Sequence, residues 1–156
     1  MENLHMSESD IGIEDWFAVR QHIDRYIWNF DMGDIEQLLK SFTDDAIFQD
    51  SAENEYVGQQ AIKGYFDGLI FSPEFRGRRH HIDNLLITRQ PDGYNVRSYW
   101  TITKWYSDQN EKKIDALGHS FDRIVTGPAG PKFAERRVYY WRDDTCPWHP
   151  SGTGLC

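Results

Sequence analysis

The sequence predicts an α+β protein, with three N-terminal helices packed on one face of a curved, mostly antiparallel β-sheet. Two observations carry this reading. Apolar residues recur at helical spacing as far as Leu69, after which the period changes to that of strands. Four β-rich runs then follow, parted by short turn-rich segments, which is the pattern of an antiparallel meander.

Residues 1–10 read as a mobile acidic leader, 11–142 as the folded domain and 143–156 as an irregular C-terminal tail. The apolar positions Ile13, Trp16, Phe17, Ile23, Tyr26, Ile27 and Phe30 mark an amphipathic helix, for which Gly33 is a natural stop. Asp34 opens a second helix, with Gln37 three residues on as in a capping box. Its stripe is Ile35, Leu38, Leu39 and Phe42, broken by "TDD". "AIFQD" (46–50) reads as a short strand and "SAENEY" as a loop. Gly58 precedes a third helix carrying Ile62, Tyr65, Phe66 and Leu69, and Pro73 and Gly77 mark the loop that follows it. The strand runs are "HHIDNLLIT", "YNVRSYWTITKWY", "KIDALGHSFDRIV" and "KFAERRVYYW", separated by "QPDG", "SDQNEK" and "TGPAGP".

At 156 residues the chain is expected to form one domain with a single core. Aromatics make up 15% of it, with six Trp, eight Tyr and nine Phe, enough for a thick core, a lined pocket or an interface. A formal charge of −8 argues against a nucleic-acid partner, and the run Arg76, Arg78, Arg79 is too short to reverse that. No stretch approaches the roughly 18 apolar residues of a membrane helix, so no membrane partner is expected. With no signal segment visible and only Cys146 and Cys156 present, a reducing, cytoplasmic setting is expected. The surplus of Trp and Tyr on the strands leads us to expect a homodimer or homotrimer formed through the open sheet face.

Several segments, in this order and spacing, resemble the SnoaL-like branch of the NTF2-like superfamily, a cone-shaped α+β fold. They are "RYIWNFDMGDIEQLLKSFTDDAIFQD", "VGQQAIKGYF", "HHIDN", and "GHSFDRI" before "FAERRV". The resemblance implies that Asp31, just after the first helix, and His80, at the head of a strand, form a catalytic pair. Members such as scytalone dehydratase and hexachlorocyclohexane dehydrochlorinase use an Asp and a His at these places. It also matches a His-x-x-x-Asn spacing to His80 and Asn84, which would share a strand face with Ile82 and leave His81 pointing outward. Scytalone dehydratase has a tyrosine where this chain has Phe30, and His119 is the nearest candidate for that enzyme's second pocket histidine. Asp122 and Arg136 match recurrent family positions, where a cross-strand ion pair is expected.

The chemistry of a His–Asp pair in an apolar cone is that of a general base. The resemblance therefore implies a cofactor-free lyase or isomerase acting on a hydrophobic aromatic or polycyclic small molecule. Tyr26, Tyr65, Tyr99 and Asn84 are the candidate hydrogen-bond partners for such a substrate, and Trp28, Phe66, Trp100 and Trp105 the candidate aromatic lining. Two other readings rest on the same fold. One is a non-catalytic small (β) subunit of an aromatic-ring-hydroxylating dioxygenase, and the other a ligand-binding protein without turnover. The tail holds Cys146, His149 and Cys156, which lack a fourth ligand and a close cysteine pair, so no metal is expected.

Overall fold

The structure is a computed structural model and describes residues 11–142. The expected leader and tail, with Cys146, His149 and Cys156, lie outside the described residues. In order come α1 (Ile13–Met32), α2 (Ile35–Leu39), β1 (Phe42–Gln49), β2 (Glu55–Val57), α3 (Gln59–Ile70), β3 (Arg78–Gln90), β4 (Gly93–Tyr106), β5 (Glu111–Gly127) and β6 (Gly130–Tyr140).

The first helix ends where glycine permits a left-handed residue. Gly33 has φ 74°, its N–H bonds to the Phe30 carbonyl, and the next N–H, of Asp34, reaches Asn29. Asp31, expected just past this helix, lies inside its last turn. Asp34 then caps α2 by accepting from the Gln37 N–H at 3.1 Å. The reciprocal half of a capping box is closed to Gln37, because the Asp34 N–H is already held by Asn29. The stripe expected to extend α2 to Phe42 stops at Leu39, and Phe42 opens β1 instead. Long-range pairing outweighs local periodicity here: Phe42 lies beside Phe133 of β6, and an irregularity between Phe42 and Ile47 absorbs the exposed Asp44 and Asp45. "SAENEY", expected as a loop, contributes Glu55 and Tyr56 to β2, which pairs with β1 through Ile47 and Val57. The apolar stripe of α1 also begins later than its sequence suggests. Ile13, Trp16 and Phe17 face solvent, while Val19, His22, Ile23, Tyr26 and Phe30 form the buried face.

The six strands run β2-β1-β6-β5-β4-β3, antiparallel except for the β1–β6 pair. The meander from β3 to β6 follows the four runs seen in the sequence. On β4, Val96, Ser98, Trp100 and Ile102 point to the core and Arg97 and Tyr99 to the other side. The core joins α1, α2 and α3 to this inner face, with Tyr26 meeting Phe42, Phe66 and Phe133 edge-on at 5.2–6.4 Å. Among the described residues no helix is long and apolar enough to cross a membrane.

Two core positions generate tests. Trp100 lies over Gly118 of β5, where an added Cβ would sit 2.0 Å from the indole Cζ2 and 2.1 Å from the Tyr139 carbonyl oxygen. Neither can retreat without moving the sheet. Gly118→Ala is therefore expected to destabilise the fold by about 2 kcal/mol or more, seen as a lower urea midpoint.

His22 is buried against Phe133, with ring centroids 4.5 Å apart. Burial, aided by Arg136 and Arg25, pushes its pKa from 6.5 down to about 4. The folded protein thus keeps His22 neutral while the unfolded chain takes up a proton below pH 6.5. This contribution is complete above 6.5 and is lost as pH falls toward 4, up to about 3 kcal/mol. Unfolding curves at pH 7 and 4.5 should therefore converge in His22→Leu relative to wild type.

Candidate active site

A cavity of about 290 Å³ lies between the helices and the inner sheet face. Tyr26, Ile27 and Phe30 of α1, Tyr65 and Leu69 of α3, and Phe48 of β1 form one side. Ile82, Trp100, Ile102, Val138 and Tyr140 form the sheet side, with Phe75 closing one edge. Five polar or charged residues break this apolar wall: Asp50, Ser51, Arg78, His80 and Arg136.

His80 stands two residues into β3 from Arg78, and its side chain turns inward beneath α1. Its Nδ1 lies 2.6 Å from Asp31 Oδ1, with the two side chains only 11% and 9% exposed. Asp31 Oδ2 accepts from the His80 backbone N–H at 2.9 Å, so one carboxylate holds one residue twice. Because Nδ1–H is the donor to a carboxylate, the neutral ring carries its proton there and leaves a lone pair on Nε2. Phe30 stacks on the ring at 4.7 Å and Phe75 lies at 6.2 Å, which fixes the plane of the imidazole. His81 points away, is exposed, and contacts Thr103 Oγ1 at 3.1 Å.

Arg136 and Asp122 stand directly opposite each other on β6 and β5, joined at 2.6 Å and almost wholly buried. The expected cross-strand pair is therefore present, and its arginine also lines the cavity. The guanidinium stacks over the Tyr26 ring at 4.8 Å and over Phe133 at 5.2 Å. Burial pushes Asp122 up to about 6 in spite of the arginine. Burial alone would lower Arg136, but Asp122 and Tyr26 outweigh it and hold its pKa above the ordinary value. Burial likewise lifts Tyr26 to about 12 and raises Tyr65 further, so both phenols keep their protons and remain donors. Arg136 Nε and Asp122 Oδ1 have no hydrogen-bond partner among the described residues.

Asp50 follows the end of β1 at the cavity rim. It accepts from the backbone N–H groups of Ala52 and Asn54, the Asn54 amide and the Tyr56 hydroxyl. Burial alone would raise its pKa, but these donors outweigh it and hold the carboxyl below its usual range.

Of the candidates named from sequence, His80, Asp31, Tyr26, Tyr65 and Trp100 meet in or against this cavity. Phe66 lies behind its wall, fully buried against Phe30, Phe48 and Tyr65. Five placements are corrected. Asn84 does not share the face of His80: an irregularity between Asp83 and Leu86, with Asn84 at φ 52°, breaks the alternation and turns it to the outer side. Tyr99 neighbours the inward Trp100 and so points outward, against Trp141. Trp28 is 70% exposed on α1, and Trp105 is exposed beneath Lys112. His119 also belongs to the outer face, accepting from the Trp141 indole N–H at 3.0 Å. Sequence reasoning missed Phe75, Arg78, Val138 and Tyr140 as lining, and took Arg136 as an ion pair alone. The period of two along β6 was the available signal, since Val138 and Tyr140 follow Arg136 on one face. Among the described residues no three His, Cys, Asp or Glu side chains gather as a metal-ligand set.

Residues 13–137 match the family described as "SnoaL-like domain". No curated protein matches the chain. Several solved structures share the fold. Aln2 from a Streptomyces species is 20% identical with a TM-score of 0.76, the match covering 83% of this chain and 93% of that one. A provisionally named scytalone dehydratase from Novosphingobium aromaticivorans is 25% identical, TM-score 0.72, over 83% and 85% of the two chains. An NTF2-like protein with a cystatin-like fold, also from Novosphingobium aromaticivorans, is 20% identical, TM-score 0.70, over 81% and 82%.

The buried pair gives a test of the cavity floor. Asp122→Asn removes the countercharge and leaves a desolvated guanidinium, which is expected to cost about 3–5 kcal/mol in chemical unfolding. Replacing both partners, as in Asp122→Leu with Arg136→Met, should cost less than Asp122→Asn alone.

Proposed function

This chain belongs to the SnoaL-like domain family, and from that premise we propose a cofactor-free lyase or isomerase acting on a hydrophobic aromatic or polycyclic small molecule. The observation that carries this reading is the contact of His80 Nδ1 with Asp31 Oδ1, 2.6 Å long, at the wall of an apolar cavity. His80 Nε2 is the general base and takes a proton from a substrate carbon next to a carbonyl. The electron pair moves into the new C=C bond of an enolate, whose oxygen is met by Arg136 or by the Tyr26 hydroxyl. Asp31 stabilises the imidazolium so formed and holds its ring in place. From the enolate two outcomes balance. Collapse expels a β-hydroxyl, which leaves as water with the proton returned from His80. Alternatively His80 delivers that proton to a different carbon, and the double bond shifts. The likeness to a provisionally named scytalone dehydratase supports the first outcome.

A scaffold or binding protein has no need of a base whose tautomer is set by a carboxylate. The proposal is tested with aromatic and polycyclic β-hydroxy ketones in deuterated water, following exchange at the α-carbon and loss of water by mass spectrometry. Exchange reports proton abstraction whichever outcome follows. His80→Ala is expected to lose about 10²–10⁴-fold in rate, and His81→Ala to stay within a few-fold of wild type. Asp31→Asn should keep the fold by circular dichroism while exchange drops. Equal, small losses for both histidines would overturn the catalytic reading.

A further inference from the structure

A second hollow, a groove of about 490 Å³, lies on another flank of α1. Its walls come from α1, from α2 where the Gly33 turn folds it back alongside, and from the tip of the β5–β6 hairpin. No acidic residue lines it, in a chain with 25 acidic residues against 17 Lys and Arg. Arg25 projects into it from α1 and Lys40 from the end of α2. Neither side chain has an ion pair or hydrogen bond among the described residues. The amides of Asn29 and Gln37 stand beside them, and Gly130, at φ 90°, bends the hairpin tip against the groove. At its base lies His22, 8% exposed, whose Nε2 is buried without a partner among the described residues.

Two cations on separate elements, neither neutralised, hold a local charge of +2 with neutral donors around it. One carboxylate would balance only half of this, whereas a phosphate monoester is close to a dianion at neutral pH. Its oxygens suit the forked arginine and the point charge of lysine together. We propose that this groove is a binding site for the phosphate group of a small-molecule phosphate monoester, with Arg25 and Lys40 as its two charged contacts. Nothing in the proposed lyase or isomerase chemistry requires this groove, so the inference stands independently of that reading.

The test titrates the whole chain with inorganic phosphate and with glycerol phosphate at constant ionic strength, with acetate as comparator. Binding is read from the His22 ring signals in NMR spectra and from the thermal midpoint, which rises when a ligand binds only the folded state. Saturable shifts of His22 with both phosphates are expected, at least about 10-fold weaker in Arg25→Gln/Lys40→Gln, since each lost charge-assisted bond is worth about a factor of ten or more. Both substitutions are at exposed positions, and circular dichroism checks that the variant folds. Arg76→Gln/Arg79→Gln, which removes two cations elsewhere, should bind as wild type does. Linear, non-saturating shifts would overturn the proposal, as would equal weakening in the two double variants. Acetate binding as well as phosphate would overturn the assignment to phosphate.

Discussion

Asp31 gives both carboxylate oxygens to one residue, and the placement of the cavity wall follows from that. Strand β3 is the last in the sheet order, so among the described residues its outer edge has no neighbouring strand to satisfy its backbone groups. The chain answers with α1. Asp31 takes the His80 N–H on that edge, and two residues further Arg20 donates to the Ile82 carbonyl at 3.0 Å. Two side chains of one helix thus do for β3 what another strand would do, and they lock its register against α1 as well as against β4. A slip of one residue would exchange His80 and His81 between faces and break both contacts at once. The bond that orients the candidate base also fixes which histidine is the candidate.

The same carboxylate sits in an unfavourable place by the ordinary rules of helices. Asp31 is in the last turn of α1, where the partial charge is negative and no basic residue of the helix offsets it. The two bonds to His80 compensate. At the floor, Asp122 and Arg136 solve a different problem. There a fully buried carboxylate is held by one guanidinium, and burial lifts it to about 6. The two acids are alike in type and differ in what they hold: one sets a tautomer, the other anchors a donor.

Structure that is local and periodic was legible in the residue order. The stop at Gly33, the cap at Asp34, the third helix after Gly58 and the four-strand meander all follow from spacing and from a few residues of special backbone freedom. Where partners distant in sequence decide, local pattern misleads. The start of β1 at Phe42 depends on Phe133, and β2 is three residues long and exists through β1. In the site, strict alternation separated His80 from His81 but misplaced Asn84, because a single left-handed residue resets the parity of β3. Tyr99 and Trp28 were legible in principle. Adjacent strand residues cannot both face inward, and Trp28 stands about 200° around the helix from the buried Tyr26. What the residue order alone could not give is that Arg136 serves two surfaces at once, pairing with Asp122 beneath and facing the cavity above.

The cavity and the cationic groove are separate hollows with a shared partition. His22 stands at the base of the groove and packs on Phe133, and the same phenylalanine ring lies under the Arg136 guanidinium of the cavity. Arg136 and Arg25, one from each side, both help keep His22 uncharged. An anion in the groove would therefore act on His22 in opposition to both arginines and to its burial. That influence travels as an electrostatic field through a rigidly packed ring, since close-packed aromatic contacts leave little room for a graded displacement. Allostery in the full sense requires an element with two arrangements that both sites bias. The partition of Phe133 and His22 supplies the contact between the sites, and any coupling it carries is bounded by how far one buried imidazole can be moved toward its protonated form.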